Sequence, residues 1–111
     1  LVPITETETL ADFAVRLALP VIPVVANRLG CLNHTLLTLE SIQARGLPCP
    51  GIILNHLVPP ADPAQLTNAQ ILARHTRILL ETHPHQTQIP APDLDRFLAS
   101  MATEAKAAAC A

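Results

Sequence analysis

Apolar and polar positions fall into short blocks along this chain, and each block carries its own period. Leu10, Phe13, Ala14 and Leu17 sit at helical spacing behind a Thr/Glu-rich connector at 5–9. Thr9 and Asp12 make a capping pair there, so a first short helix is predicted, ended by Pro20. Val21 to Ala26 is a nearly unbroken apolar run, the pattern of a strand buried on both faces. Pro23 interrupts it, because proline cannot donate to a strand ladder. Leu32, Leu36, Leu39 and Ile42 follow the helical period from Leu32 to Arg45, and Gly46 stands where a left-handed C-terminal cap belongs. After the turn Leu47 to Pro50, Gly51 to Asn55 reads as a second strand. Strand, helix and strand then predict a parallel pair with a right-handed crossover.

Pro59-Pro60-Ala61-Asp62-Pro63 is a stiff turn. Beyond it Ile71, Leu72, His75, Ile78 and Leu79 share one helical face and Thr67, Gln70, Arg74, Arg77 and Glu81 the other, which predicts an amphipathic helix covering a sheet. His83 to Gln88 is polar and Ile89-Pro90-Ala91-Pro92 is extended. Asp93 then caps a last helix that turns Leu94, Phe97, Leu98, Met101 and Ala105 inward, and the Ala-rich tail at 104–111 frays. With no internal repeat, residues 1–111 read as a single partial domain.

At 111 residues the chain fits one domain, and such a chain buries only about two-thirds of the surface it exposes when unfolded. Half the residues are hydrophobic, yet Phe13 and Phe97 are the only aromatics among Phe, Trp and Tyr, so the core is built from Leu, Ile, Val and Ala. That composition suits a parallel sheet covered by helices. A net charge of −2 with scattered Lys and Arg gives no basic stripe, and no aromatic platform stacks bases, which argues against a nucleic-acid partner. Leu17 to Ala26 is half the length of a membrane helix and contains Pro20 and Pro23, which argues against a membrane span. Cys31, Cys49 and Cys110 fit neither a disulfide framework nor a zinc knuckle, and a reducing cytoplasm is the simplest home. The opening Leu1-Val2-Pro3-Ile4 has neither an initiator Met nor the pattern of a signal peptide, which implies further sequence upstream.

Candidate chemistry gathers where strand gives way to helix. Gly30 breaks the apolar run and feeds the helix beginning at Leu32, whose first N–H groups and macrodipole suit a carboxylate or phosphate between Gly30 and Asn33. Asn33 adds an amide; equally, Asn33 could simply cap the helix and Gly30 simply turn the chain. Asn55, at the carboxyl end of the second strand, can donate and accept at once, as reading a base edge requires, or it can form an Asx turn. His34 and His56 adjoin this region without a nucleophile or carboxylate beside them in sequence. His83 and His85 lack a third metal ligand within reach, and Cys31 reads as a small buried filler or a thiol of lowered pKa. No Gly-x-x-x-x-Gly-Lys-Ser/Thr segment is present to cradle a triphosphate.

The string Leu29-Gly30-Cys31-Leu32-Asn33-His34-Thr35-Leu36-Leu37-Thr38, with Leu19-Pro20-Val21-Ile22, Arg45-Gly46-Leu47, Gly51-Ile52-Ile53-Leu54-Asn55, Pro59-Pro60 and Ile89-Pro90, resembles the C-terminal half of dethiobiotin synthetase from residue 1 to about Pro90. The resemblance implies a partial P-loop NTPase-like α/β fold, a three-layer sandwich with a parallel sheet flanked by helices. It also implies a homodimeric, cytoplasmic ligase of biotin biosynthesis. That family closes the ureido ring of dethiobiotin from 7,8-diaminononanoate, carbon dioxide and Mg-ATP by way of a phosphorylated carbamate. On the resemblance, Gly30, Cys31, Leu32 and Asn33 bind the carboxylate tail of a diaminononanoate held mainly by the other subunit. Asn55 recognises the adenine, with His56 and Pro90-Ala91-Pro92 walling the nucleotide pocket. The P-loop, its lysine and the Mg2+ ligands belong to the family's N-terminal half, so no catalytic or metal residue is assigned here and the 111 residues alone are expected to be inactive. His83 to Gln88 stands where the family has a strand and Gly-Glu or Gly-Arg before Ile-Pro. A rival reading is a non-catalytic P-loop-like binding or dimerisation module, which would tolerate Asn33→Ala with a capping loss of about 1 kcal/mol.

Overall fold

The computed structural model describes residues 1–57, 62–76, 79–82, 95–100 and 102–103. In chain order the elements are α1 (Leu10–Leu17), β1 (Val24–Ala26), α2 (Cys31–Ala44), β2 (Ile52–Asn55), α3 (Pro63–Leu72) and β3 (Leu79–Thr82), with further helical backbone at 95–100. The strands form one parallel sheet in the order β1-β2-β3, with Ala26 opposite Asn55 and Asn55 opposite Thr82 at their carboxyl ends. The parallel α/β expectation is met.

Proline decides where β1 begins. Only Val24–Ala26 of the apolar run is strand, because Pro23 has no N–H to give; its carbonyl still accepts from Ile53 N–H at 2.9 Å. Val24 is 65% exposed, so burial on both faces does not hold at this edge strand. The core lies on β2. Ile52 and Leu54 are two residues apart, point to one face, and pack with Leu72 of α3; Val25, Leu32, Leu39 and Ala69 close around them. α2 and α3 therefore share one face of the sheet.

α1 forms as its pattern predicts. The Thr9 hydroxyl and N–H donate to Asp12 Oδ2 at 2.6 and 2.8 Å, and Asp12 N–H returns to Thr9 Oγ1 at 3.3 Å. The helix closes at Ala18, in the left-handed region with φ 52°, before Pro20 is reached. None of its residues is buried. α2 ends as expected at Gly46, with φ 66°.

The greatest departure from expectation is downstream of β2. The amphipathic helix predicted to run through Leu79 and Glu81 starts earlier and ends earlier, at Pro63 and Leu72, and Leu79–Thr82 is instead β3. Asp62 is the N-cap: its side chain accepts from Ala64 N–H at 2.8 Å and Gln65 Oε1 accepts from Asp62 N–H at 3.1 Å, with Pro63 in the first turn. A short apolar run fits either period, and the open edge of β2 takes it as strand. This strand immediately precedes His83, so the strand expected to be replaced by His83 to Gln88 is present in Leu79–Thr82. In the last helix Phe97 is buried as expected, but Leu98 is exposed. Asp93, Leu94, Met101, Ala105, the extended Pro90-Ala91-Pro92, the Pro59-Pro60 turn, Ile78, and His83 and His85 lie outside the described residues.

Candidate functional site

β1 and β2 run parallel, so their carboxyl ends open on the same rim of the sheet, and both candidate segments begin there. Gly30 is the N-cap of α2 with φ 85° and ψ −7°, a left-handed conformation that glycine adopts without strain, and it offers no side chain to the helix start. Cys31 N–H turns back to the Arg28 carbonyl at 3.1 Å and His34 N–H reaches Gly30 O at 3.4 Å. Among the described residues, the N–H groups of Leu32 and Asn33 meet no acceptor. Asn33 is exposed at the third helical position, where it is not the cap that one sequence reading allowed.

The four predicted tail-binding residues divide by direction. Gly30 and Asn33 face outward, whereas Cys31 is buried and Leu32 packs against the core. The Cys31 carbonyl accepts from Thr35 Oγ1 at 2.7 Å, and the thiol is a buried filler, the first of its two sequence readings. A groove of about 300 Å³ runs from the exposed edge of β1 to the first turns of α2, lined by Val24, Ala26, Arg28, Cys31, His34 and Thr35 among others. It is apolar along the strand and carries a guanidinium near the helix start, a combination that suits an aliphatic chain ending in an anion.

At the end of β2, Asn55 is half-buried and its carbonyl accepts from Asn27 N–H at 2.8 Å. His56 is buried. Its Nδ1 lies 3.0 Å from Asn27 Nδ2 and its Nε2 lies 2.8 Å from Glu81 Oε2. His56 thus has the carboxylate partner that its sequence neighbourhood lacked, supplied from β3. Asn27, Gln65, Asn68 and Glu81 complete a polar cluster that the sequence reading missed. Asn27 Nδ2 donates to the Gln65 carbonyl at 2.9 Å, Gln65 Nε2 donates to the Asn27 carbonyl at 2.9 Å, and Asn68 Nδ2 donates to Asn27 Oδ1 at 2.8 Å. The available signal was Asp62-Pro63-Ala64-Gln65, a capping box with proline in the first turn, which starts α3 early enough to bring Gln65 and Asn68 to this rim.

A family model described as an AAA domain matches residues 1–91. The chain belongs to that family. Over 76 residues it is 50% identical to the ATP-dependent dethiobiotin synthetase of Anaeromyxobacter dehalogenans strain 2CP-C, a match covering 68% of this chain and 34% of the relative. The proteins of the same name from strain 2CP-1 and from Anaeromyxobacter sp. strain K are 49% and 47% identical over the same length. The chain therefore spans about a third of the length of the curated relatives it matches. The likeness to dethiobiotin synthetases carried by the Leu29 to Thr38 string is borne out.

Asn55 ends β2 on the rim where Asn27, Gln65 and Asn68 gather, and its carbonyl accepts from Asn27 N–H. Among the described residues, no three His, Cys, Asp or Glu side chains gather as ligands for a divalent cation. No described helix is long and apolar enough to cross a membrane.

Proposed function

We propose that this chain is the C-terminal part of a dethiobiotin synthetase and supplies two of its surfaces, a seat for the substrate's carboxylate tail and a corner that reads the nucleotide base. The observation that carries the reading is the open start of α2. Gly30 turns the chain without contributing a capping group, the Leu32 and Asn33 N–H groups meet no acceptor among the described residues, and a groove lined by Arg28, Cys31 and His34 ends at the same first turn of α2. A carboxylate there meets donors and the positive end of the helix dipole. In the parent reaction the tail is fixed at one end of the diaminononanoate while, at the other end, one amine is carboxylated, the carbamate is phosphorylated and the second amine displaces phosphate to close the ureido ring. Asn55 and His56 hold the adenine side, and the family resemblance assigns Pro90-Ala91-Pro92 to the same pocket.

Phosphate and Mg2+ are held by the family's P-loop half. Nothing in these residues supplies them, so no catalytic step is assigned to this chain. Homodimerisation is supported by the uncovered apolar face of α1, where Leu10, Phe13 and Leu17 are exposed, and a cytoplasmic setting by the free, buried Cys31. The relatives carry an enzyme's name, so a non-catalytic module is the less supported alternative.

Titrating the 15N-labelled chain with 7,8-diaminononanoate is expected to shift the amides of Gly30 to Asn33 first. Incubation with the diamine, bicarbonate and Mg-ATP is expected to give no dethiobiotin unless a P-loop-bearing half is supplied. Robust product from the chain alone, or a titration that leaves the α2 start unmoved, overturns the proposal.

A further inference from the structure

Asn27 is 4% exposed, yet it uses its whole hydrogen-bonding capacity. Its N–H donates to Asn55 O at the end of β2, its carbonyl accepts from Gln65 Nε2, its Oδ1 accepts from Asn68 Nδ2, and its Nδ2 faces both the Gln65 carbonyl and His56 Nδ1. Three residues before Gly30, it joins the end of β1, the Asn55–His56 corner and α3.

The orientation of this amide is fixed by partners that have no choice of role. A main-chain carbonyl only accepts, so the Asn27 atom 2.9 Å from Gln65 O is nitrogen. Asn68 Nδ2 also lies 3.4 Å from the Arg28 carbonyl, so its donor end faces Asn27, whose other atom is the accepting oxygen. The second hydrogen of Asn27 Nδ2 then points at His56 Nδ1, which must accept. A neutral His56 consequently carries its proton on Nε2 and donates it to Glu81 Oε2 at 2.8 Å.

We propose that Asn27 is a positioning residue: through one amide it fixes the His56 ring as the Nε2–H tautomer and ties the Asn55–His56 corner to the turn that opens α2. That the corner serves a purine rests on the reading given under Proposed function; the fixing of His56 does not. Buried amides satisfied on every atom hold their neighbours in one arrangement, since any shift leaves a donor or acceptor unpaired. Base corner and tail seat therefore move as one body.

Long-range 1H–15N spectra of the full 15N-labelled chain, recorded at alkaline pH where imidazole is neutral, read the tautomer directly. The wild type is expected to show the single Nε2–H pattern for His56, and Asn27→Ala to lose it to a mixture. Glu81→Gln, on a side chain 44% exposed, tests the other partner without disturbing the buried cluster. With Nδ1 held by Asn27, the amide introduced on β3 must turn its oxygen to Nε2–H and the tautomer stays. A tautomer that switches in Glu81→Gln, or a mixture already present in the wild type, overturns the proposal. Adding ATP as probe separates the two claims. Wild-type shifts at Asn55 that spread to Gly30, with affinity about five- to tenfold weaker in Asn27→Ala, support the positioning role. An affinity unchanged by Asn27→Ala refutes that role, and a wild type that ignores ATP refutes the nucleotide reading while the tautomer still decides the fixing of His56.

Discussion

Asn33→Ala separates a structural asparagine from a binding one more cleanly than its sequence position suggests. If Asn33 capped α2, its loss would cost about 1 kcal/mol of stability. The structure removes that term. Gly30 is the N-cap, no side chain bonds to the helix start, and Asn33 is exposed in the first turn. What remains is intrinsic propensity, in which alanine is better than asparagine by roughly 0.5 kcal/mol in a helix interior and by less near an end. Urea unfolding is therefore expected to show Asn33→Ala unchanged or more stable by a few tenths of a kcal/mol. Binding moves the other way. An amide donating to a carboxylate contributes about 1.5–3 kcal/mol, so the affinity for 7,8-diaminononanoate read from amide shifts is expected to fall roughly ten- to hundredfold. A stability loss near 1 kcal/mol would show that the helix start relies on this side chain after all. Equal affinity in both proteins would refute the tail seat at Asn33, whatever the stability.

Other substitutions probe the frame that carries the site. Gly30→Ala adds a Cβ that meets nothing within 4 Å, so the cost is conformational alone, about 1–2 kcal/mol from φ 85°, measurable by denaturant unfolding. Leu72→Ala empties a fully buried position against Ile52 and Leu54 and is expected to cost about 2–5 kcal/mol; less than 1 kcal/mol would mean that α3 does not close the core. Asn68→Ala strands the buried Asn27 Oδ1 and is expected to cost about 1–3 kcal/mol, with amide exchange accelerating at Asn27 and His56. Hydrogen bonds from the Thr9 hydroxyl, then from its N–H, hold the Asp12 carboxyl below the ordinary carboxylate range. The cap is thus fully present above that range and is lost as pH falls through the lowered value, so α1 amides exchange faster on acidification; Thr9→Val removes the hydroxyl, the larger cause, keeps the N–H bond and so weakens this dependence.

Much of the frame was legible because single residues force it. Thr9 with Asp12, Gly46 after a helical period, and the short run Gly51 to Asn55 after the Leu47 to Pro50 turn each leave the backbone few alternatives, and the structure takes the predicted one. The error at Leu79 has a different origin. A run of three apolar residues satisfies the helical and the extended period equally, and what selects strand is the unpaired edge of β2, a partner that no local window contains. The polar cluster was hidden for a similar reason. Asn27, Gln65, Asn68 and Glu81 are ordinary surface residue types, and they join one network around the buried Asn27, Asn68 and His56 only when parallel strands and an early-starting α3 bring them to one rim. Gly30 to Asn33 was legible as a segment, but the inward turn of Cys31 and Leu32 depended on which face of α2 meets Ile52 and Leu54.

The two candidate surfaces are neighbours because of register, and register also explains why a polar hub sits between them. Ala26 pairs with Asn55, so the residue after β1 and the residue after β2, Asn27 and His56, leave the sheet side by side. An apolar residue at Asn27 would remove the donor that the Gln65 carbonyl and His56 Nδ1 now share. The amide at that position donates its N–H to Asn55 and ties its side chain to α3 and His56, so the chain approaches Gly30 from an anchored residue. The direction of α2 is then held on both sides of the turn, by Asn27 tied to α3 and His56 before Gly30 and by Leu32 and Leu39 packed on the core after it, while the glycine permits the turn without choosing where it points.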